Sequence, residues 1–145
     1  MYFREIIRPP LWVLAFIYFL LFSIVIAIWA SLNSLFALVS FILSIVLIVF
    51  LAFELRLKIE ISDEEFRVGT AHIHRKYIKE VHVLSIEQMK LIRTRDADPA
   101  SFLAIRFWQP RGIKIELNDP RDSTPYWLVT SKRGEEIATL LNSKN

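Results

Sequence analysis

Three histidines, four loop aspartates and a set of aromatic residues are the side chains in this sequence whose types and spacing suit chemistry. His72 and His74 stand two apart in a stretch patterned as a strand, so they share a face, and His82 on another strand would offer zinc a third ligand. No Asp or Glu stands at a fixed spacing to complete that set, so the three read as surface or interface residues and no metal or cofactor is expected. Asp96 and Asp98 form one acidic pair and Asp119 and Asp122 a second, of the kind that holds a divalent cation. Pro99 and Pro120 stand beside them, and next to proline an aspartate usually bonds its own backbone in a turn. Turn chemistry is the primary reading; the alternative is a membrane-bound enzyme or metal-dependent hydrolase using these aspartates. G-x-S-x-G, H-E-x-x-H, phosphate-loop and dinucleotide fingerprints are all absent from a chain with three glycines, so no catalytic residue is assigned. Trp108, Tyr126 and Trp127 are the largest specific side chains outside the apolar run described next. Tyr126 and Trp127 must point to opposite faces of a strand, so one of them is expected to be partly exposed as a contact for a partner or for the lipid interface. With Asp119 and Asp122 these three aromatics make up the candidate binding set.

The elements that would position these residues begin with Pro9 to Phe53, which contains no Asp, Glu, Lys, Arg or His over 45 residues. As a helix that run would reach about 67 Å, roughly twice the hydrocarbon thickness of a bilayer. It therefore reads as two membrane spans, about 11–30 and 35–53, broken at the polar cluster Ser31-Leu32-Asn33-Ser34. A cleaved signal peptide fits less well, because the apolar run is too long and no A-x-A site closes it. Residues 1–8 read as a short basic leader. Arg4 and Arg8 precede the first span, Arg56, Lys58 and Arg67 follow the second, and the connection carries no cation. The expected location is the cell membrane, multi-pass, with both termini cytoplasmic. Small residues recur at helical spacing, Ser23 with Ala27 and Ser40 with Ser44, and would pack the hairpin on itself or serve a homo-oligomer.

From Glu54 to Asn145 the composition becomes that of a soluble domain with one core. Leu55, Leu57, Ile59 and Ile61 alternate with charged residues as in a half-buried strand, joined to Phe53 without a linker. Further strands are expected near 66–68, 71–73, 80–85, 102–108, 113–117 and 126–130, with Gly69 at a bulge or kink and Gln109-Pro110-Arg111-Gly112 as a hairpin turn. Residues 86–95 pattern as a short helix with Ile86, Met89 and Ile92 inward, and 132–142 as a final helix. The fold class is α+β: an N-terminal transmembrane helical hairpin, then a small pleckstrin-homology-like β-sandwich or roll with a C-terminal helix. Another small α+β roll is the alternative. The net charge of +3 is dispersed, which argues against nucleic acid, and the absence of cysteine excludes disulfides and thiolate sites. Asp63-Glu64-Glu65 in the first turn of the domain would repel a phosphorylated inositol lipid.

The string Asp119-Pro120 with Asp122 and Thr124-Pro125-Tyr126-Trp127-Leu128-Val129-Thr130-Ser131, preceded by Asp96-Ala97-Asp98-Pro99 and Arg106-Phe107-Trp108, resembles an actinobacterial two-span membrane-protein family known only as domain-of-unknown-function family 3093. Arg67-Val68-Gly69 and Ala71-His72-Ile73 are similar too. Arg106-Phe107-Trp108 and Arg133-Gly134 depart from the family's Arg-Pro-Trp and Arg-Pro. The resemblance implies an architecture and no reaction. The functional expectation is a non-enzymatic, membrane-tethered binding or adaptor module, with the lipid bilayer and another membrane or cytoplasmic protein as partners.

Overall fold

Phe3-Arg4-Glu5-Ile6-Ile7 alternates inward and outward side chains and forms strand β1 (Phe3–Ile7). The structure is a computed structural model that describes residues 3–143. β1 pairs antiparallel with β2 (Leu57–Ile61) from Phe3 opposite Ile61 to Ile7 opposite Leu57. The expected basic leader is thus corrected to a sheet strand. Arg4 and Arg8 stand out in the sequence, but Phe3, Glu5 and Ile7 are the buried face. A carboxylate among the inward positions masks the apolar alternation.

Between these paired strands the chain makes α1 (Leu11–Ser31) and α2 (Ser34–Glu54), a unit of its own spanning Arg8–Arg56. Asn33 enforces the break, because its side chain accepts from the Leu35 and Phe36 N–H groups at 3.0 and 3.1 Å and caps α2. Both helices are long and apolar enough to cross a membrane, and most of their side chains are exposed. Ser44 is buried and Ser40 half-buried, whereas Ser23 and Ala27 face outward. The three serine hydroxyls donate to carbonyls of their own helices, so none is left wanting in an apolar setting.

The other unit joins the chain through Ile7 to everything from Leu57 onward. β1 and β2 continue into β3 (Glu65–Val68) and β4 (Ala71–His74), an antiparallel sheet in chain order. Gly69, at φ +61°, opens the two-residue turn between Val68 and Ala71, a position that suits glycine. A second sheet has the order β5 (Ile78–Leu84), β7 (Gly112–Leu117), β8 (Tyr126–Thr130), β6 (Phe102–Ala104). α3 (Ile86–Thr94) follows β5, and α4 (Gly134–Asn142) closes the domain. The architecture is mixed α+β: two long apolar helices, two sheets and a C-terminal helix. Phe3, Ile7, Ile59, Phe66, Ile113, Ile115, Trp127 and Ile137 meet in one core drawn from both sheets and α4.

The hairpin expected at Gln109-Pro110-Arg111-Gly112 does not form. β6 is three residues long and pairs parallel with β8, while β7 pairs with β5 and β8. Residues 105–111 are instead a crossing loop held by side chains, as described below. No local turn signal marks a parallel neighbour, since such pairing needs a crossover.

Candidate functional site

β8 carries two of the five candidate residues, Tyr126 and Trp127, and all five of its residues are buried. It lies between β7 and β6, and both of its faces are covered. Trp127 packs against Phe102 and Phe66, with ring centroids 4.7 and 6.3 Å away. Tyr126 and Leu128 point the other way, into a smaller cluster with Leu84 of β5 and Met89 of α3. Tyr126 and Trp127 do occupy opposite faces, but neither is exposed, because α3 closes the face expected to be open. The Tyr126 hydroxyl accepts from the Asp98 N–H at 3.3 Å, which ties β8 to the turn after α3.

The loop aspartates build turns. Asp119 accepts from the Arg121 N–H at 2.9 Å, and Asp98 accepts from the Ala100 N–H at 2.9 Å. The Asp122 carboxylate accepts from both the N–H and the hydroxyl of Thr124, at 2.9 and 2.7 Å. Those two bonds, the hydroxyl's first, hold the Asp122 carboxyl below the ordinary aspartate range. A pKa depressed by folding adds stability above the unfolded value that is lost as pH falls through the folded one. Thr124→Val is therefore expected to raise the Asp122 pKa toward the ordinary value and move the acid loosening of this turn to higher pH. NMR titration of the Asp122 carboxyl checks it; an unmoved midpoint would show that the hydroxyl is immaterial. Among the described residues, no group of three convergent metal-ligating side chains includes Asp96, Asp98, Asp119 or Asp122.

The histidines divide between the sheets. His72 and His74 stand exposed on β4, with His74 Nε2 4.0 Å from Glu65. His82 stands on β5 beside Glu80 and Glu116. Glu65 is held below the ordinary glutamate range, first by its hydrogen bonds from Arg67.

The side chains that shape the surface lie where β8 leaves its sheet. Glu5 is buried, and its carboxylate accepts from the Ser131 hydroxyl at 2.6 Å and the Lys132 N–H at 2.9 Å. Gln109, also buried, donates from Nε2 to the Ser131 carbonyl at 3.2 Å. The Arg106 N–H donates to Thr130 Oγ1, and the Gln109 N–H to the Arg106 carbonyl at 3.0 Å. Buried groups that satisfy one another in this way fix a loop more tightly than its sequence suggests. The result is a tight turn at 106–109 that tucks Trp108 against the core and turns Phe107 out. The two rings meet edge to face at 5.0 Å, and the buried Trp108 Nε1 has no acceptor among the described residues.

Phe107 is 62% exposed and borders a groove of about 400 Å³ lined by Ile86, Lys90, Arg93, Thr94 and Pro110. The four α3 residues among these fall at helical spacing on one side of that helix. Ser85 starts α3 with a full capping box to Gln88, and Met89 is its buried anchor. Periodicity alone points Ile86 inward, but it is 49% exposed and lines the groove. An apolar floor with two cations can seat an apolar segment that carries acidic residues. The six lining residues include no carboxylate, histidine or cysteine. Of the aromatic candidates, Trp108 supports this surface from below; Tyr126 and Trp127 belong to the core, and Asp119 and Asp122 to a separate turn. The adjacency of Phe107 to Trp108 was the available signal, since one ring of such a pair in a turn commonly faces out.

A family model described as "Protein of unknown function (DUF3093)" matches residues 2–141. Neither a curated protein nor a solved structure matches the chain.

Proposed function

This chain belongs to the DUF3093 family, and we propose that it is an integral membrane protein carrying a binding module at the cytoplasmic face, which serves as an adaptor. The observation that carries the reading is the groove between α3 and the 105–110 loop, where exposed Phe107 and Ile86 stand beside Lys90 and Arg93. Its occupant is an acidic, apolar segment of a partner protein. Exposed aromatic and apolar side chains rimmed by charge are typical of interface anchors.

Two apolar helices support membrane attachment, and the cations on both flanks with none between them support cytoplasmic termini. The pairing of Ile7 with Leu57 supports the same topology, because two strands of one sheet lie on one side of a bilayer. Two four-stranded sheets with a closing helix support the pleckstrin-homology-like description; the parallel β6 and β8 pair is its departure from an all-antiparallel sandwich. Outward-facing Ser23 and Ala27 would be the contact for a second copy, a secondary partner in this reading.

A photoreactive residue at position 107, crosslinked in native membranes, tests the adaptor. The expected product is a protein adduct that disappears when Lys90 and Arg93 are changed to Glu and is absent from position 139 on α4. Adducts to lipid alone would assign the groove to the bilayer surface and overturn the adaptor. A protein adduct indifferent to the charge reversal would overturn the proposed occupant.

A further inference from the structure

We propose that Glu80, His82 and Glu116 bind a divalent transition-metal ion, zinc above all, on the open half of the second sheet. One ligand atom from each lies within 4.8 Å of the other two. His82 Nε2 is 3.6 Å from Glu80 Oε2 and 3.5 Å from Glu116 Oε1. Zinc bonds imidazole nitrogen and carboxylate oxygen at about 2.0–2.2 Å, so neighbouring ligands on a tetrahedron stand roughly 3.3–3.6 Å apart. The histidine therefore already keeps the ligand separations of a tetrahedral site, with neither carboxylate needing more than a side-chain adjustment. Three protein ligands leave the fourth position for water or a partner's side chain.

The backbone arranges this against electrostatic preference. Between Ile78 and Glu80 the register with β7 shifts, so inward Ile78 and Val81 are separated by two outward residues, Lys79 and Glu80. Bulges of this kind re-aim side chains. This one sets Glu80 directly opposite Glu116, a pairing of like charges that a cation must offset. Met89 and Leu128 close the other half of the same face under α3, which leaves the three ligands as its solvent-accessible part. Lys114 and Lys79 approach Glu116 at 3.6 and 3.9 Å and are the cations a metal must displace. Both side chains are long enough to turn aside, Lys114 toward the Tyr126 ring that its ammonium already overlies at 4.8 Å, and a doubly charged ion bound by two carboxylates outcompetes ammonium groups that hold only one. His72 and His74, the pair suggested by sequence spacing, are on the other sheet and take no part.

The test uses the full chain in detergent, without a polyhistidine tag, stripped with chelator and titrated with zinc chloride by calorimetry. One ion per chain is expected, with affinity falling about tenfold or more in His82→Ala, as loss of a ligand requires. Glu116→Gln gives a similar loss and stands in should His82→Ala fail to fold. The double variant His72→Ala with His74→Ala binds as the parent does. Cobalt in place of zinc should show the intense visible bands of tetrahedral coordination. Absence of bound zinc, parent-like affinity in both His82→Ala and Glu116→Gln, or loss of binding in the His72 and His74 double variant would each overturn the assignment.

Discussion

A fragment beginning at Leu57 is expected not to fold, whereas a chain in which Ile7 is joined to Leu57 by a two-residue Asn-Gly turn is expected to fold as a soluble domain. The fragment lacks β1, which contributes Phe3, Glu5 and Ile7 to the interior. Burial of Phe3 and Ile7 is worth about 1.5–3 kcal/mol each. Loss of Glu5 also strips the Ser131 hydroxyl and the Lys132 N–H of a charged acceptor, at about 1.5–3 kcal/mol for such bonds. Together these approach the whole stability of a domain of this size, about 5–15 kcal/mol. The splice restores all of them, because Ile7 and Leu57 are the terminal partners of an antiparallel pair and such strands accept a two-residue connection. Urea unfolding followed by circular dichroism decides the matter. A cooperative transition in the fragment at the splice's midpoint would mean that β1 is dispensable.

Trp127→Ala is expected to cost about 3–5 kcal/mol, the range for large-to-small changes at a buried aromatic. Its ring lies between Phe102 and Phe66 and joins strands β3, β6 and β8 in one contact. Phe107→Ala, at an exposed ring, should alter stability by no more than about 0.5 kcal/mol while abolishing the charge-dependent contact proposed for the groove. Thermal unfolding of the spliced domain, measured beside crosslinking of the full chain, separates the two roles. If Phe107→Ala unfolds the domain or Trp127→Ala leaves it intact, the division between core and contact surface is reversed.

The elements most legible in the sequence were those whose environment their own residues dictate. Leu57, Ile59 and Ile61 alternate with charge because β2 has one buried face, and the apolar helices are uniform because most of their side chains lie exposed. β8 was recognisable as a strand, yet the fate of Tyr126 depended on α3, which lies more than thirty residues earlier. β1 was hidden by Glu5, an acid that is inward because two donors from the far end of the domain meet it. The groove was the least legible part. It exists only because Gln109 and Thr130 hold a loop against Ser131 and thereby lay Phe107 alongside α3. Long-range polar bonds of that kind leave no periodic trace.

The placement of α1 and α2 between two partner strands also sets a timetable for synthesis. β1 is made first, but its partner β2 follows only after the 49 residues of Arg8–Arg56. At roughly 5–20 residues per second that interval is about 2–10 s. Through it Phe3 and Ile7 have no sheet to join, and the first sheet cannot nucleate from its N-terminal edge. Completion of the domain therefore certifies that both apolar helices have already been made and brought their ends together, a checkpoint written into chain order.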